Sequence, residues 1–422
     1  MTLRSAPLTR RVLLLTALSA AAVAVSAQER GGEWAQWRGP NRDGISRETG
    51  LLKSWPQGGP RLLWKSEGLG GGYATPSVAG GRIYGMGYRG DDEVVWALDE
   101  RTGQPVWSTR IAAANHDVGY GEGSRSTPTV VGNRLYVLGV SGDVVCLNTA
   151  DGKPVWQKNL VREFGGAVPN WGYSESPLVD GQKVIVTPGG PQATLVALDR
   201  NSGNVIWRSQ VPQGDPAHYA SAIAAEVDGV RQYIQFLHGG VVGVAAEDGR
   251  FLWRYNRPAS GTANIATPVF QDNMLFAAAA YNVGGGLVKL ARTPNGVSAE
   301  EVYFTRDMKN KHGGMVLVDG YLYGFDDPGT LTCVEFKTGE TKWQNRSVGG
   351  NGSVVYADGN LYCRSQSGPV ALVEANPSQY VEKGRFEPQR SNKNAWAHPV
   401  IAGGKLLLRD QDFMLCYDVK AR

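Results

Sequence analysis

The 422-residue sequence has few of the residues that usually mark a catalytic or metal centre. It contains four cysteines and five histidines, and it has no HExxH, CxxC, P-loop or GxSxG motif. Residue spacing therefore gives no support to a zinc site. The cysteines lie inside apolar strand patterns, so we expect them to be buried and reduced; they are Cys146, Cys333, Cys363 and Cys416.

Charge is also scarce. Charged residues make up 19% of the chain and the formal net charge is +4. The first 27 residues carry three arginines and no acidic residue, so the rest of the chain is close to neutral. Nucleic-acid binding needs a basic face, and this composition does not provide one. After residue 27 we find no apolar run long enough to span a bilayer.

The N-terminal segment 1–27 is typical of a secretory signal. Arg4, Arg10 and Arg11 precede an apolar run over residues 12–25, and small residues follow as a possible cleavage point. The Arg10-Arg11 pair leaves both the general and the twin-arginine export routes open. No cysteine lies near the cleavage point, which argues against a lipid anchor. We expect an exported protein, periplasmic or extracellular.

What the sequence does have is a repeat. VVWALDERTGQPVW, residues 94–107, recurs in copies that end at Trp156, Trp207, Trp253 and Trp343. A glycine stands four residues before each final tryptophan, which predicts a hairpin whose turn needs positive φ. A second pair of short apolar runs precedes each copy. One unit is therefore four strands of roughly 40–50 residues, a period typical of propellers.

Counting the units gives an all-β, eight-bladed β-propeller of four-stranded antiparallel blades; seven blades is the alternative. The aromatic residues that end the units are Trp64, Trp107, Trp156, Trp207, Trp253, Phe304, Trp343 and Phe386. The chain after Phe386 lacks its final aromatic strand, and PRLLW at 60–64 is a strand without a blade. We predict that PRLLW completes the last blade and closes the ring. Residues 28–422 would then form one domain, with 34–64 as lead-in and closing strand. The closing aromatics are interpreted as packing between blades.

Units of the form TPxVxGxRxYxxxxxGxVxALDxxTGxxxW resemble the repeats of the pyrroloquinoline-quinone (PQQ)-like propeller superfamily. That superfamily includes quinoprotein alcohol dehydrogenases and the propeller lipoprotein of the outer-membrane β-barrel assembly machinery. The stretches WAQWRGPNRDG at 34–44 and NWGYSESPLVDG at 170–181 are similar to those of secreted bacterial PQQ-like repeat proteins. The resemblance implies the fold, and it leaves the activity open because one fold hosts many functions.

The long loops between blades, such as 108–126 and 157–175, differ from one another, and function concentrates in such loops. All five histidines are predicted to lie at the same face of the ring. A funnel there, rich in histidine and aromatic residues, is the candidate ligand site. Its candidate residues are His116, Tyr120, Glu122, Arg125, Trp171, Tyr173, Glu175, His218, Tyr219, His238, Asn264, Lys311, His312, Arg364, Trp396, His398 and Arg409.

The quinoprotein dehydrogenases resemble one another in a disulfide between adjacent cysteines over the quinone, a tryptophan beneath it and a bound calcium. This chain has no adjacent cysteine pair. Trp171 or Trp396 would be the floor for PQQ. Possible calcium ligands are Glu122, Glu175 and Asn264; possible partners of the quinone carboxylates are Arg125, Lys311, Arg364 and Arg409.

Three functions remain open at this point. The leading hypothesis is an exported, monomeric scaffold whose funnel face binds a small polar ligand, a glycan or an envelope protein. The second is a PQQ- and calcium-dependent dehydrogenase of alcohols or sugars with a divergent cofactor site. The third is an adaptor in outer-membrane protein assembly. The sequence favours no metal site and commits to no cofactor.

Overall fold

The computed structural model describes residues 1–2 and 32–422. The predicted signal segment therefore lies almost entirely outside the described residues. The segment Gly31–Arg422 forms one compact unit. Its one helix among the described residues is α1 (Leu160–Phe164), and in the part of the chain that the structure covers no helix has the length and apolar character needed to cross a bilayer.

Two strands precede the first complete blade, β1 (Ile45–Ser46) and β2 (Arg61–Ser66). Blade 1 consists of β3 (Ser77–Ala79), β4 (Arg82–Arg89), β5 (Asp92–Asp99) and β6 (Pro105–Ala113). Blade 2 consists of β7 (Thr129–Val131), β8 (Arg134–Leu138), β9 (Asp143–Asn148) and β10 (Pro154–Asn159). Blade 3 consists of β11 (Leu178–Asp180), β12 (Lys183–Val186), β13 (Leu195–Asp199) and β14 (Val205–Ser209). Blade 4 consists of β15 (Ile223–Val227), β16 (Val230–Leu237), β17 (Gly240–Ala245) and β18 (Phe251–Tyr255).

The remaining blades follow the same order along the chain. Blade 5 consists of β19 (Val269–Gln271), β20 (Met274–Ala279), β21 (Gly284–Thr293) and β22 (Gly296–Thr305). Blade 6 consists of β23 (Asn310–Val318), β24 (Tyr321–Asp326), β25 (Thr330–Glu335) and β26 (Thr341–Asn345). Blade 7 consists of β27 (Gly352–Ala357), β28 (Asn360–Ser365), β29 (Val370–Glu374) and β30 (Glu382–Phe386). Blade 8 contains β31 (Val400–Ala402), β32 (Lys405–Asp410) and β33 (Phe413–Asp418).

The ring closes as predicted. Strand β2 pairs antiparallel with β33, with Leu62 opposite Tyr417 and Trp64 opposite Cys416. Blade 8 therefore has the order β2-β33-β32-β31, and its outermost strand comes from the N-terminal side of the chain. The eight-bladed prediction is confirmed and the seven-bladed alternative is wrong. Closure leaves no blade missing its outer strand.

The hairpins that end the repeats have the predicted turn chemistry. Gly203, for example, has φ +71°, a conformation that favours glycine. A Cβ at this position would lie 2.8 Å from the ring of Trp156, which belongs to the preceding blade. Trp156 Nε1 donates to Arg200 O in the same turn at 3.0 Å. Trp64, Trp107 and Trp207 cover the turn of the next blade in the same way, as the packing interpretation predicted, whereas Trp253 Nε1 donates to Gln232 Oε1 of its own blade at 2.6 Å.

Two of the predicted closing aromatics are wrong. In blade 5 the residue opposite Leu287 is Tyr303, and the Tyr303 hydroxyl donates to Phe336 O at 2.8 Å; Phe304 is the neighbouring residue. In blade 7 the equivalent position is Gly384, opposite Leu372. Trp55 packs against that glycine instead. A residue from the lead-in therefore occupies the place that the repeat leaves empty.

A β-bulge lies immediately before the closing position in all eight blades. At each bulge one residue of the outer strand has no partner in the register. The bulged residues are Leu63, Val106, Val155, Ile206, Leu252, Val302, Lys342 and Lys383. Because a bulge interrupts the ladder and twists the strand, it makes the rim a poor template for pairing with another strand.

The lead-in crosses the ring rather than lying outside it. Trp34 exchanges backbone hydrogen bonds with Val78 of blade 1 at 2.8 and 2.9 Å, and Ala35 O accepts from Val130 N of blade 2. Strand β1 then pairs in parallel with β27, with Ile45 opposite Tyr356. The segment between them is anchored by two buried arginines, Arg38 and Arg42. The lead-in therefore fills part of the central channel of the ring.

The four cysteines are buried and none forms a disulfide, so that prediction is confirmed. Burial raises the pKa of each thiol, which leaves them protonated and unreactive at neutral pH.

Candidate functional site

A pocket with a volume of about 310 Å³ opens at the centre of the ring. It falls within the size range of small-molecule sites, roughly 300–1,000 Å³. Its lining is rich in aromatic side chains and contains no Asp or Glu. The lining residues are Trp37, Tyr73, Thr75, Tyr120, Arg125, Trp171, Ser174, Tyr219, Ser221, Ala263, Ile265, Tyr281, Lys311, His312, Trp396 and His398.

Propeller topology explains why these residues meet. Most of them lie in the segments that lead into the first, innermost strand of a blade, as Ser221 does before β15 and Trp396 before β31. Tyr281 lies in the hairpin between β20 and β21, which opens at the same face of the ring. Residues more than 300 positions apart in sequence thus line one pocket. The predicted funnel face is where the pocket is found.

Trp37 joins this set from the lead-in. Its Nε1 donates to Thr267 Oγ1 at 2.9 Å, and its ring lies 4.5 Å from the imidazole of His398, measured between centroids. Since Arg38 and Arg42 on either side of Pro40 are buried, the segment that carries Trp37 is held at several points. The lead-in thus supplies part of the pocket wall.

The aromatic walls form two groups. Trp396 lies between Tyr73 and Tyr120, each with a centroid distance of 4.8 Å. Trp171 meets Tyr219 edge to face at 5.4 Å. Rings held by one another in this way keep their orientation, and they make much of the pocket lining aromatic.

The five predicted histidines fall into three places. His312 and His398 line the pocket. His218 and His238 contact each other behind Tyr219, with a centroid distance of 4.7 Å, and Asn264 N donates to His218 Nδ1. Desolvation, followed by the neighbouring His238, lowers the pKa of His218 to about 4.

His116 is apart from the other four. Its ring meets Tyr88 edge to face at 5.2 Å, and its Nδ1 lies 3.0 Å from Gly121 O. The contact between His116 and Gly121 joins two residues of the long loop 108–126 and stabilises the conformation of that loop. The expectation of one ring of histidines around the funnel is therefore replaced by two in the pocket, two behind it and one in a loop.

Eight of the seventeen candidate residues lie in the pocket: Tyr120, Arg125, Trp171, Tyr219, Lys311, His312, Trp396 and His398. Nine do not line it: His116, Glu122, Tyr173, Glu175, His218, His238, Asn264, Arg364 and Arg409.

Two arginines in the second group connect blades. Arg364 is buried and donates through Nη1 to Ala397 O at 3.0 Å and to Arg409 O at 2.6 Å. Arg409 is fully buried and donates to Ala74 O and Gly70 O at 3.0 and 2.9 Å. Their guanidinium groups join blade 8 to its two neighbours. They are not placed to meet a ligand in the pocket.

The three residues considered for calcium are each used elsewhere. Glu122 pairs with Lys393 at 2.8 Å. Glu175 is buried and accepts from Thr187 Oγ1 at 2.8 Å and from Gln235 Nε2 at 3.0 Å. Asn264 Oδ1 accepts from Ser260 N at 2.8 Å.

Sequence reasoning missed three aromatic residues of the pocket. Tyr73 lies in the loop between β2 and β3, and Tyr281 lies in a hairpin of the same topological kind as that of His238. Applying the blade-to-blade rule to every aromatic residue, and not mainly to histidines, would have found both. Trp37 carried no such signal, because the path of the lead-in does not follow from the repeat.

The closed ring of eight blades, with its pocket at the loop face, defines a PQQ-like β-propeller. The family described as outer membrane protein assembly factor BamB matches residues 91–345. This chain belongs to that family. The match runs from blade 1 to the end of blade 6.

Individual relatives agree with the family match. The BamB of Yersinia pestis is 24% identical over 395 residues, which cover 85% of this chain and 88% of that protein. Among solved structures, BamB from Moraxella catarrhalis has a TM-score of 0.62 at 15% identity, covering 86% of this chain and 98% of that one. Quinohemoprotein alcohol dehydrogenase from Comamonas testosteroni has a TM-score of 0.63 at 13% identity, covering 93% and 81%. The structural likenesses show the shared fold.

PQQ with calcium, which the sequence resemblance to quinoprotein dehydrogenases implies, does not fit the residues of this pocket. Calcium requires several oxygen ligands, mainly carboxylates. No carboxylate lines the pocket, and the carboxylate of Glu175 accepts hydrogen bonds from Thr187 and Gln235. Among the described residues no cluster of three or more His, Cys, Asp or Glu is placed to hold a metal ion.

Proposed function

We propose that this protein is an exported binding scaffold of the outer-membrane assembly type, which holds a partner protein in the cell envelope. The observation that carries the proposal is the family match over residues 91–345. The Yersinia pestis relative, aligned over 88% of its own length, supports it across nearly the whole ring. This is the third of the three functions considered from sequence.

The export part of the proposal rests on the sequence. The basic, apolar and small-residue order of segment 1–27 is that of a secretory signal. A secretory signal would take the protein across the inner membrane, and an assembly partner in the envelope would be met on the far side. Fractionation of cells that produce the tagged protein is expected to find it outside the cytoplasm.

The loop face is the surface we propose for the partner. It carries α1, whose N-cap Asn159 accepts from Val161 N and Arg162 N at 3.1 and 3.0 Å. Gly165 ends the helix in a left-handed conformation. The helix is short but fixed at both ends, and its Arg162 and Glu163 are exposed. Exposed charges on a rigid element suit recognition by a charged partner.

Affinity purification from the native host, with mass spectrometry of what is retained, tests the role. We expect enrichment of outer-membrane β-barrel assembly proteins over a tag-only control. Arg162→Glu on the loop face is expected to reduce that enrichment. Lys337→Glu, an exposed lysine in the opposite-face turn between β25 and β26, is the matched control. Absence of assembly proteins would refute the role, and equal loss in both variants would refute the loop face.

A further inference from the structure

A residue of the pocket lining carries a buried hydrogen-bond acceptor that no described residue satisfies. His398 is 3% exposed, and its Nε2 lies 2.9 Å from His312 O. A carbonyl only accepts, so Nε2 must carry the proton. Nδ1 is then the bare acceptor of a neutral ring, and it has no hydrogen-bond partner. A buried acceptor left in this state costs free energy unless a ligand or water donates to it.

The second pocket histidine adds a similar group. His312 Nε2 is buried and has no partner among the described residues. Desolvation, followed by the charge of Lys311, lowers the pKa of His312 to about 3. Desolvation, followed by the charge of Arg38, lowers that of His398 to about 3. Both rings are therefore neutral at physiological pH, and they offer hydrogen bonding without charge.

The charge of the pocket comes from two cations. Lys311 makes no ion pair with a described residue, and its Nζ lies 5.5 Å from the ring centroid of Tyr281. Arg125 donates to the carbonyls of Gly119 and Gly123 at 2.7 and 2.8 Å, so its orientation is fixed while its charge meets no carboxylate. The lining contains no acid to balance either cation. A ligand that carries an acidic group would supply that balance.

The walls add a requirement for shape. Trp396 and Trp171 both line the pocket, and each is in contact with a tyrosine that also lines it. An aromatic face is apolar and carries a partial negative charge, so it packs well against the weakly positive C–H groups on one face of a pyranose ring. A sugar ring therefore satisfies the walls while its hydroxyls reach the polar groups between them.

We propose that the pocket binds a sugar that carries an acidic group, of which a hexuronate is the simplest case. The acidic group would lie toward Lys311 and Arg125, and a ring hydroxyl would donate to His398 Nδ1. A planar quinone such as PQQ satisfies the cations and walls, but it has one N–H donor beside its carbonyl and carboxylate acceptors, whereas a sugar carries several hydroxyl donors. The larger number of donors is what favours the sugar. The inference does not depend on the proposed assembly role, because the pocket is enclosed by the ring itself.

Calorimetric titration of the purified protein tests it. The ligands are D-glucuronate, glucose 6-phosphate, D-glucose and PQQ, together with a hexuronate trisaccharide to distinguish a free sugar from a polysaccharide chain. We expect glucuronate or its trisaccharide to bind at least about tenfold more tightly than glucose. Tight binding of glucose 6-phosphate would support the same class with phosphate as the acidic group.

The variants assign the binding to this pocket. Lys311→Gln is expected to weaken the acidic sugar about tenfold or more while leaving glucose unchanged; Lys289→Gln, an exposed lysine on β21, should change neither. His312→Ala should leave the melting temperature nearly unchanged and still weaken binding, which separates a pocket role from a structural one.

Equal affinity for glucose and glucuronate, binding of PQQ in preference to every sugar acid, or no binding at all would each overturn the proposal. Envelope partners should still co-purify with Lys311→Gln, so the two proposals can fail separately.

Discussion

Glu93 shows how far burial can change a single side chain in this ring. Its carboxyl is fully buried, with Ser124 Oγ donating to it at 2.7 Å and Val140 N at 3.1 Å. Desolvation outweighs these two donors and raises the pKa of Glu93 to about 7. Because the folded pKa lies above the unfolded one, the folded protein holds a proton that the unfolded chain has already lost at pH 5 to 7. This group therefore stabilises the fold less as the pH rises through that window.

We expect Glu93→Gln to remove this pH dependence, since an amide does not titrate. The free energy of unfolding of the variant, relative to the parent protein, should rise between pH 5 and pH 7.5 by up to about 3 kcal/mol. Urea denaturation at a series of pH values measures it. The neutral pocket histidines contribute a pH dependence of the opposite sign to the free energy of unfolding, and this contribution cancels when the two proteins are compared. Glu247→Gln, at an exposed position, is the control; a flat difference for Glu93→Gln would show that this carboxyl is already ionised.

At the scale of the strand, neighbouring residues of the blade rim have opposite roles. Trp207 is 7% exposed, and its Nε1 donates to Ala246 O of the next blade at 3.3 Å. Ile206 beside it is the bulged residue, unpaired in the register and 45% exposed. The bulge turns one side chain into the space between blades and leaves the other in solvent.

Trp207→Ala is therefore expected to cost about 3–5 kcal/mol, because it opens a void between blades 3 and 4. Ile206→Lys is expected to change stability by no more than about 0.5 kcal/mol. Blades 6 and 7 already carry Lys342 and Lys383 at this position. Denaturant unfolding of the two variants measures the contrast. A loss below about 1 kcal/mol for Trp207→Ala would mean that its ring is not part of the packing between blades.

The repeat made the strands and turns predictable, because the glycine that each hairpin turn requires is visible in the local sequence. Gly203 and its equivalents can be read locally, since positive φ is a property of one residue. The residue that occupies the closing position of each blade could not be predicted from the repeat alone. Phe304 and Tyr303 are both aromatic, and only the register opposite Leu287 decides between them. Trp55 was not predictable as the partner of Gly384, because that contact joins the lead-in to a distant blade.

The same limit applies to the pocket. Lys311, His312 and Trp396 were found because propeller topology gathers loops at one face. Arg364 and Arg409 were included by the same rule, but they turn into the spaces between blades, where carbonyls accept from them. Loop position predicts the face of the ring; the side-chain direction depends on which buried carbonyls need a donor.

At the scale of the whole molecule, residues 34–66 contact all eight blades. Trp34 and Ala35 meet blades 1 and 2, and β1 pairs with blade 7. Trp37 reaches blade 5 through Thr267. Arg38 Nη2 donates to Met315 O of blade 6. Strand β2 completes blade 8.

Arg42 makes the remaining connection. Its Nη1 donates to Ser176 O at 3.0 Å and to Ala222 O at 2.9 Å, and its Nη2 donates to Pro177 O. Two of these carbonyls lead into blade 3 and one leads into blade 4. Desolvation, opposed in part by the charge of Glu175, lowers the pKa of Arg42 to about 9, so the guanidinium remains charged at neutral pH. One side chain therefore donates to three buried carbonyls. Pro177 O also accepts from Thr129 Oγ1 at 2.7 Å, so Ser176 O and Ala222 O are the two that rely on Arg42.

If the lead-in holds the ring together, Arg42→Met should destabilise the whole propeller and not only the segment that carries it. The methionine keeps most of the buried apolar contact but leaves Ser176 O and Ala222 O without a donor, each at a cost of about 1–3 kcal/mol. We expect a loss of about 3–5 kcal/mol in a single cooperative transition, measured by calorimetry and by circular dichroism. Arg47→Met is the matched control, because Arg47 is half exposed and pairs with Asp43 on the surface. Equal melting temperatures for the two variants, or a separate early transition for Arg42→Met, would show that the ring closes without this contact and that the lead-in only lies across it.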